Sequence, residues 1–106
     1  MNKNTSLSRY GGSMYVILVY DIKMDEKGPR VLRRVFKICK KYLSHVQKSV
    51  FEGEMTLAKL ASLKRELNKW IRKDKDSLIV FRSSNKKWLK KEFWGMDESD
   101  KTSNFF

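Results

Sequence analysis

The 106-residue chain has one cysteine (Cys39), one histidine (His45) and one proline (Pro29), and each scarcity removes a class of chemistry. A lone cysteine forms no intrachain disulfide, and one Cys with one His falls short of the ligand set of a zinc site. Nucleophilic triads and Cys-His pairs need several partners around the reacting group. Here Cys39 falls on the apolar face of a predicted helix and His45 beside a predicted strand start, so His45 remains only a weak proton-transfer candidate. The five glycines never take the spacing of a phosphate- or dinucleotide-binding loop, and nucleotide-triphosphate chemistry is not indicated. No run approaches the roughly eighteen apolar residues of a membrane span, and residues 1–13 (MNKNTSLSRYGGS) lack the apolar stretch of a signal peptide. The expected setting is the reducing cytoplasm, with no membrane partner.

Acidic residues are also scarce: 12 Asp and Glu against 24 Lys and Arg give a net charge of +12. Such a balance favours a polyanionic partner. With 41% apolar residues at this length, one core can form and a second folded domain is not expected. Residues 1–13 read as a leader or tag-like extension, 14–96 as the folded domain with its partner-docking segment, and 97–106 as a flexible tail ending in Phe105 and Phe106.

Met14 to Tyr20 (MYVILVY) is a near-continuous apolar run, as in a central strand buried on both faces. Asp21 ends it, and Pro29 suits the first turn of a helix. Val31, Leu32, Val35, Phe36, Cys39, Tyr42 and Leu43 then keep a three-four spacing, with Ile38 off the stripe. The opposite face holds Arg30, Arg33, Arg34, Lys37, Lys40 and Lys41, with no acid inside the helix to neutralise them. Val46 to Met55 reads as one bent or two short paired strands whose turn the pattern does not place. Thr56 is a plausible N-cap for a second helix carrying Leu60, Leu63, Leu67, Trp70 and Ile71, which ends at the charged stretch Lys73 to Asp76. Leu78 to Phe81 (LIVF) is a short buried-strand run. The order β-α-β-β-α-β predicts an α+β, ferredoxin-like domain: an antiparallel sheet with two helices on one face. Its bare face needs cover, and a homodimer through the sheets supplies it, with Trp88, Phe93 and Trp94 adding to the interface.

Asp21 stands apart as a carboxylate at the end of a central strand. Its ordinary role is to cap a turn. Its functional role is to hold Mg²⁺, an ion that takes one or two carboxylates plus phosphate oxygens and waters, so two symmetry-related Asp21 side chains across a dimer axis suffice. Asp25 and Glu26 in the next loop add acidity or stand simply as solvated charges. A magnesium ion there would support phosphodiester hydrolysis.

MYVILVYDI, the Arg-rich helix GPRVLRRVFKICKKYL, then HVQKSVFEGEM and the late LIVF strand resemble the CRISPR-associated protein 2 family over about Met14 to Trp94. The resemblance implies a ferredoxin-like homodimer that joins integrase subunits and holds a prespacer DNA duplex during spacer acquisition. It also implies a metal-dependent nuclease acting on ssRNA or dsDNA, with Asp21 as catalytic residue and magnesium ligand. It places Arg30, Arg33 and Arg34, and with them Lys37, against the nucleic-acid backbone. The alternatives on the same fold are a free-standing, toxin-like endoribonuclease, which needs Asp21 and metal but no integrase, and an RNA-recognition domain. The latter's basic-Gly-aromatic signature is missing from VFEGEM.

Overall fold

The computed structural model describes residues 12–84 and 92–95. The calls on residues 1–11, on Trp88 and on the tail from 97 onward lie outside the described residues. Six elements follow one another: β1 (Met14–Asp21), α1 (Gly28–Tyr42), β2 (Ser44–Gln47), β3 (Val50–Met55), α2 (Leu57–Asn68) and β4 (Ser77–Ser83). The strands form one sheet in the order β2-β3-β1-β4, with every neighbouring pair antiparallel. This is the expected ferredoxin-like arrangement.

Alternation along β1 sorts its side chains. Val16, Leu18 and Tyr20 are buried toward the helices, whereas Ile17 and Val19 are half-buried on the face that no helix covers. Tyr15 on that face is buried as well, so the expectation of a strand buried on both faces holds fully on the helix side and in part on the other. The core is centred on Phe51, Leu18, Leu63, Leu67, Val16, Val35 and Cys39, all fully buried. Burial pushes the Cys39 thiol up to about 12, which makes it a core hydrophobe rather than a nucleophile.

α1 opens at Pro29 in its first turn and carries Lys40 and Lys41 in its last, where cations suit the helix dipole. Ile38, expected off the apolar stripe, is buried. Packing of α2 alongside α1 widens the covered sector beyond the stripe that faces the sheet. Gly28 is required by close approach: a Cβ there would stand 2.3 Å from the Lys23 carbonyl oxygen.

Thr56 caps α2 as expected, its hydroxyl accepting from the Lys59 amide at 3.2 Å. The helix stops at Asn68, so Trp70 and Ile71 lie beyond it in turns rather than within it. Their amides both donate to the Leu67 carbonyl (2.9 Å each). The cause lies further on, where the Asp76 carboxylate accepts the Arg72 amide at 2.9 Å and offers the backbone an alternative to another helical turn. The turn that the sequence left unplaced is Lys48–Ser49, with Lys48 at φ 41°.

β4 departs most from expectation. Ile79, Val80 and Phe81 are 52, 37 and 52% exposed, because β4 is an edge strand and the helices reach only part of it.

Candidate functional site

Asp21 is the last residue of β1 and stands opposite Ser77 of β4. Alternation puts it on the uncovered face with Ile17 and Val19. It is exposed, and among the described residues its carboxylate makes no hydrogen bond or ion pair.

The capping duty expected of a strand-end aspartate falls instead to Asp76, whose side chain has no solvent exposure. One carboxylate oxygen accepts from the Lys23 amide (2.9 Å) and from Arg72 Nη2 (3.0 Å), the other from the Arg72 amide and Nε (2.9 Å each). Arg72 continues to Asp25 Oδ1 (2.6 Å) through Nη1 and to the Lys23 carbonyl (2.9 Å) through Nη2. Lys75 adds a 3.5 Å contact to Asp25. Asp25 is thus bound up in structure rather than solvated, while Glu26 is exposed. The Arg72 hydrogen bonds, opposed by burial, hold the Asp76 carboxyl down at about 2 and lower that of Asp25. This knot joins the β1–α1 loop to the α2–β4 loop and fixes the chain on both sides of the Asp21–Ser77 pair.

Asp21 lines a depression of about 420 Å³ with Lys23, Lys73, Asp74, Lys75, Asp76 and Ser77. Among the described residues no three His, Cys, Asp or Glu side chains gather where they could hold a metal ion. Two exposed carboxylates without an ion pair among the described residues, Asp21 and Asp74, stand there among three lysines, a set that fits magnesium once phosphate oxygens and waters complete the shell.

The basic residues of α1 do not line this depression, and they are not equivalent. Lys41 is paired with Glu66 of α2 at 2.5 Å, and the Tyr42 hydroxyl donates to the same carboxylate. The Arg30 and Arg34 guanidiniums lie over the Trp70 ring, 5.6 and 5.0 Å from its centroid. Arg33 and Lys37 are exposed, with no ion pair among the described residues. His45, considered for proton transfer, is buried. Its ring sits 4.7 Å from both Phe36 and Phe51, and Nε2–H donates to the Lys48 carbonyl at 2.6 Å. That bond holds the strained turn residue, so the imidazole serves structure.

Sequence reasoning missed Arg72, Asp76, Trp70 and Glu66. Arg72 and Asp76 pair locally at i,i+4, a spacing the sequence shows, but the other partners that give these residues their place lie 24 to 53 residues away along the chain, out of reach of local patterning. Among the described residues no helix is long and apolar enough to cross a membrane.

The family model described as CRISPR associated protein Cas2 matches residues 14–91. A CRISPR-associated endoribonuclease Cas2 of Fusobacterium nucleatum is 52% identical over 106 residues, covering 99% of each chain. A CRISPR-associated endonuclease Cas2 of Halalkalibacterium halodurans is 39% identical over 87 residues, covering 81% of this chain and 91% of that protein. Among solved structures, a Cas2 crystal structure superposes with a TM-score of 0.71 at 35% identity, covering 83% of this chain and 93% of the other.

Proposed function

The chain belongs to the CRISPR-associated protein Cas2 family, and on that premise we propose that it is a nucleic-acid-binding nuclease of CRISPR spacer acquisition. It works as a homodimer that bridges integrase subunits and holds a prespacer duplex. The observation that carries the nuclease reading is the Asp21 carboxylate, unpaired among the described residues although Lys23, Lys73 and Lys75 stand in the same depression. The nuclease names of its relatives support it.

The uncovered sheet face supports the dimer. Ile17 and Val19 lie beside Phe81 and Ile79 in register, and a second copy on this face would bury them. It would also bring up a second Asp21. In the reaction the lysines attract the phosphodiester, Asp21 holds the opposite charge beside it, and the Arg72–Asp76 knot keeps the carboxylate at the strand end. Asp21 would hold magnesium at this strand end, and the ion would there polarise the phosphate and supply a more acidic water.

α1 supplies the duplex contacts. A row of cations with no base-reading motif binds phosphates irrespective of sequence. With about six phosphates neutralised per dimer, the slope of log K against log salt is roughly −5. Arg33→Ala with Arg34→Ala flattens that slope, and an unchanged slope rules out the helix as the contact surface.

The first experiment is a nuclease titration against single-stranded RNA and duplex DNA, with and without Mg²⁺, pairing the wild type with Asp21→Ala. Metal-dependent cleavage that the substitution abolishes supports the nuclease. Absence of cleavage with salt-sensitive duplex binding retained in both proteins leaves a scaffold. Cleavage without any integrase requirement or duplex bridging favours the toxin-like endoribonuclease.

A further inference from the structure

Between α1 and α2 lies a cleft of about 380 Å³ lined by Arg34, Lys37, Ile38, Lys41, Glu66, Lys69 and Trp70. Glu66 is its one acidic group, and that carboxylate is held by Lys41 and by the Tyr42 hydroxyl. The Lys41 hydrogen bond is the main cause that lowers the Glu66 carboxyl below its ordinary range, so it stays a fixed partner of Lys41. Arg34, Lys37 and Lys69 remain without a carboxylate among the described residues. They come from two helices: Arg34 and Lys37 from the middle of α1, Lys69 from the C-cap of α2.

The floor is Trp70, half-buried, with Ile38 beside it. Arg30 and Arg34, one helical turn apart, both rest on the indole. A guanidinium held by an aromatic ring keeps its charge and its in-plane N–H donors, which a carboxylate would occupy. It also enters a complex with its side-chain freedom already reduced. Arg30 and Arg34 are exposed, restrained by the ring and not neutralised, a condition that favours a phosphate site. Lys41, by contrast, is neutralised.

We propose that the α1–α2 cleft is a phosphodiester-binding site in which Arg34, Lys37 and Lys69 contact a backbone phosphate, with Trp70 as the residue that positions Arg30 and Arg34. The inference rests on the reading of α1 as a nucleic-acid surface and extends it in two ways. The path of the strand crosses from α1 onto α2, and an aromatic residue outside the basic strip sets its affinity.

The test is duplex DNA binding by the full chain across a salt series, comparing wild type with Lys69→Ala, Trp70→Leu, Trp70→Phe and Arg33→Ala, with circular dichroism checking each fold. Lys69→Ala reduces the magnitude of the salt slope by up to about 1.8 per dimer, the loss of one cationic contact from each copy. Trp70→Leu removes no charge yet weakens binding about fivefold, the effect of freeing one or two arginine side chains, and Trp70→Phe restores most of it. In the Trp70→Leu background Arg34→Lys costs little more, whereas in the wild type it costs affinity; a merely structural tryptophan would not change the effect of that substitution. If Lys69→Ala and Trp70→Leu bind like wild type while Arg33→Ala loses affinity, the cleft is refuted and the α1 surface stands. If Arg33→Ala is also without effect, the α1 reading fails and the cleft with it.

Discussion

Replacing Asp76 by Asn keeps the shape of the side chain and removes its charge, which makes it a direct probe of the knot beneath the Asp21 depression. The carboxylate accepts four hydrogen bonds, two at each oxygen. An amide in its place turns an NH₂ toward two of those donors, so at least two charge-assisted bonds are lost at about 1.5 kcal/mol each. Arg72 is not stranded, because Asp25 holds it at 2.6 Å, and the cost stays near the lower end for a broken buried pair, about 3 kcal/mol. For a domain of this size that lowers Tm by roughly 15 °C. The loss depends on pH with a defined sign. The Asp76 carboxyl lies near 2 in the fold against 3.8 without its partners, so its contribution is fully present above pH 3.8 and disappears as pH falls through 2. Thermal or urea unfolding of both proteins from pH 7 to pH 2 reads this as a gap that is constant down to about pH 4 and then closes. A gap below about 0.5 kcal/mol at pH 7, or one that widens in acid, refutes the reasoning.

Gly28→Ala forces a Cβ to within 2.3 Å of the Lys23 carbonyl oxygen, so the β1–α1 loop must move at a cost of about 1–3 kcal/mol. Since Lys23 is also held by Asp76, the double variant with Asp76→Asn is destabilised by less than the sum, as urea denaturation of the four proteins will show. Phe81→Glu places a charge on the uncovered face at a half-exposed position. If the proposed dimer forms through this face, the substitution yields a monomer by analytical ultracentrifugation and lowers the concentration-dependent part of Tm; an unchanged mass would remove the sheet face as the interface.

Much of the architecture is legible because each helix has one apolar stripe and β1 one long apolar run. Local propensity, capping at Thr56 and the entry at Pro29 all agree with the fold. The errors share a cause. Ile38, the end of α2 and the exposure of LIVF are each decided by what packs alongside: α2 against α1, Asp76 against Arg72, and the position of β4 at the sheet edge. At the site, Asp21 is conspicuous in sequence as a carboxylate closing an apolar strand. The division of the basic strip is not, since Glu66 and Trp70 select among its cations from another helix and the turn beyond it.

The exposed apolar side chains of β4 have a consequence for how this protein answers to salt. A chain of net charge +12 repels its own copies, and added ions shorten the range of that repulsion. The same ions weaken its hold on phosphates. The half-exposed apolar side chains of Ile79 and Phe81 gain partners as repulsion fades. Ionic strength therefore drives nucleic-acid release and self-association in the same direction, and a preparation stripped of nucleic acid by high salt is the one most prone to associate through these side chains.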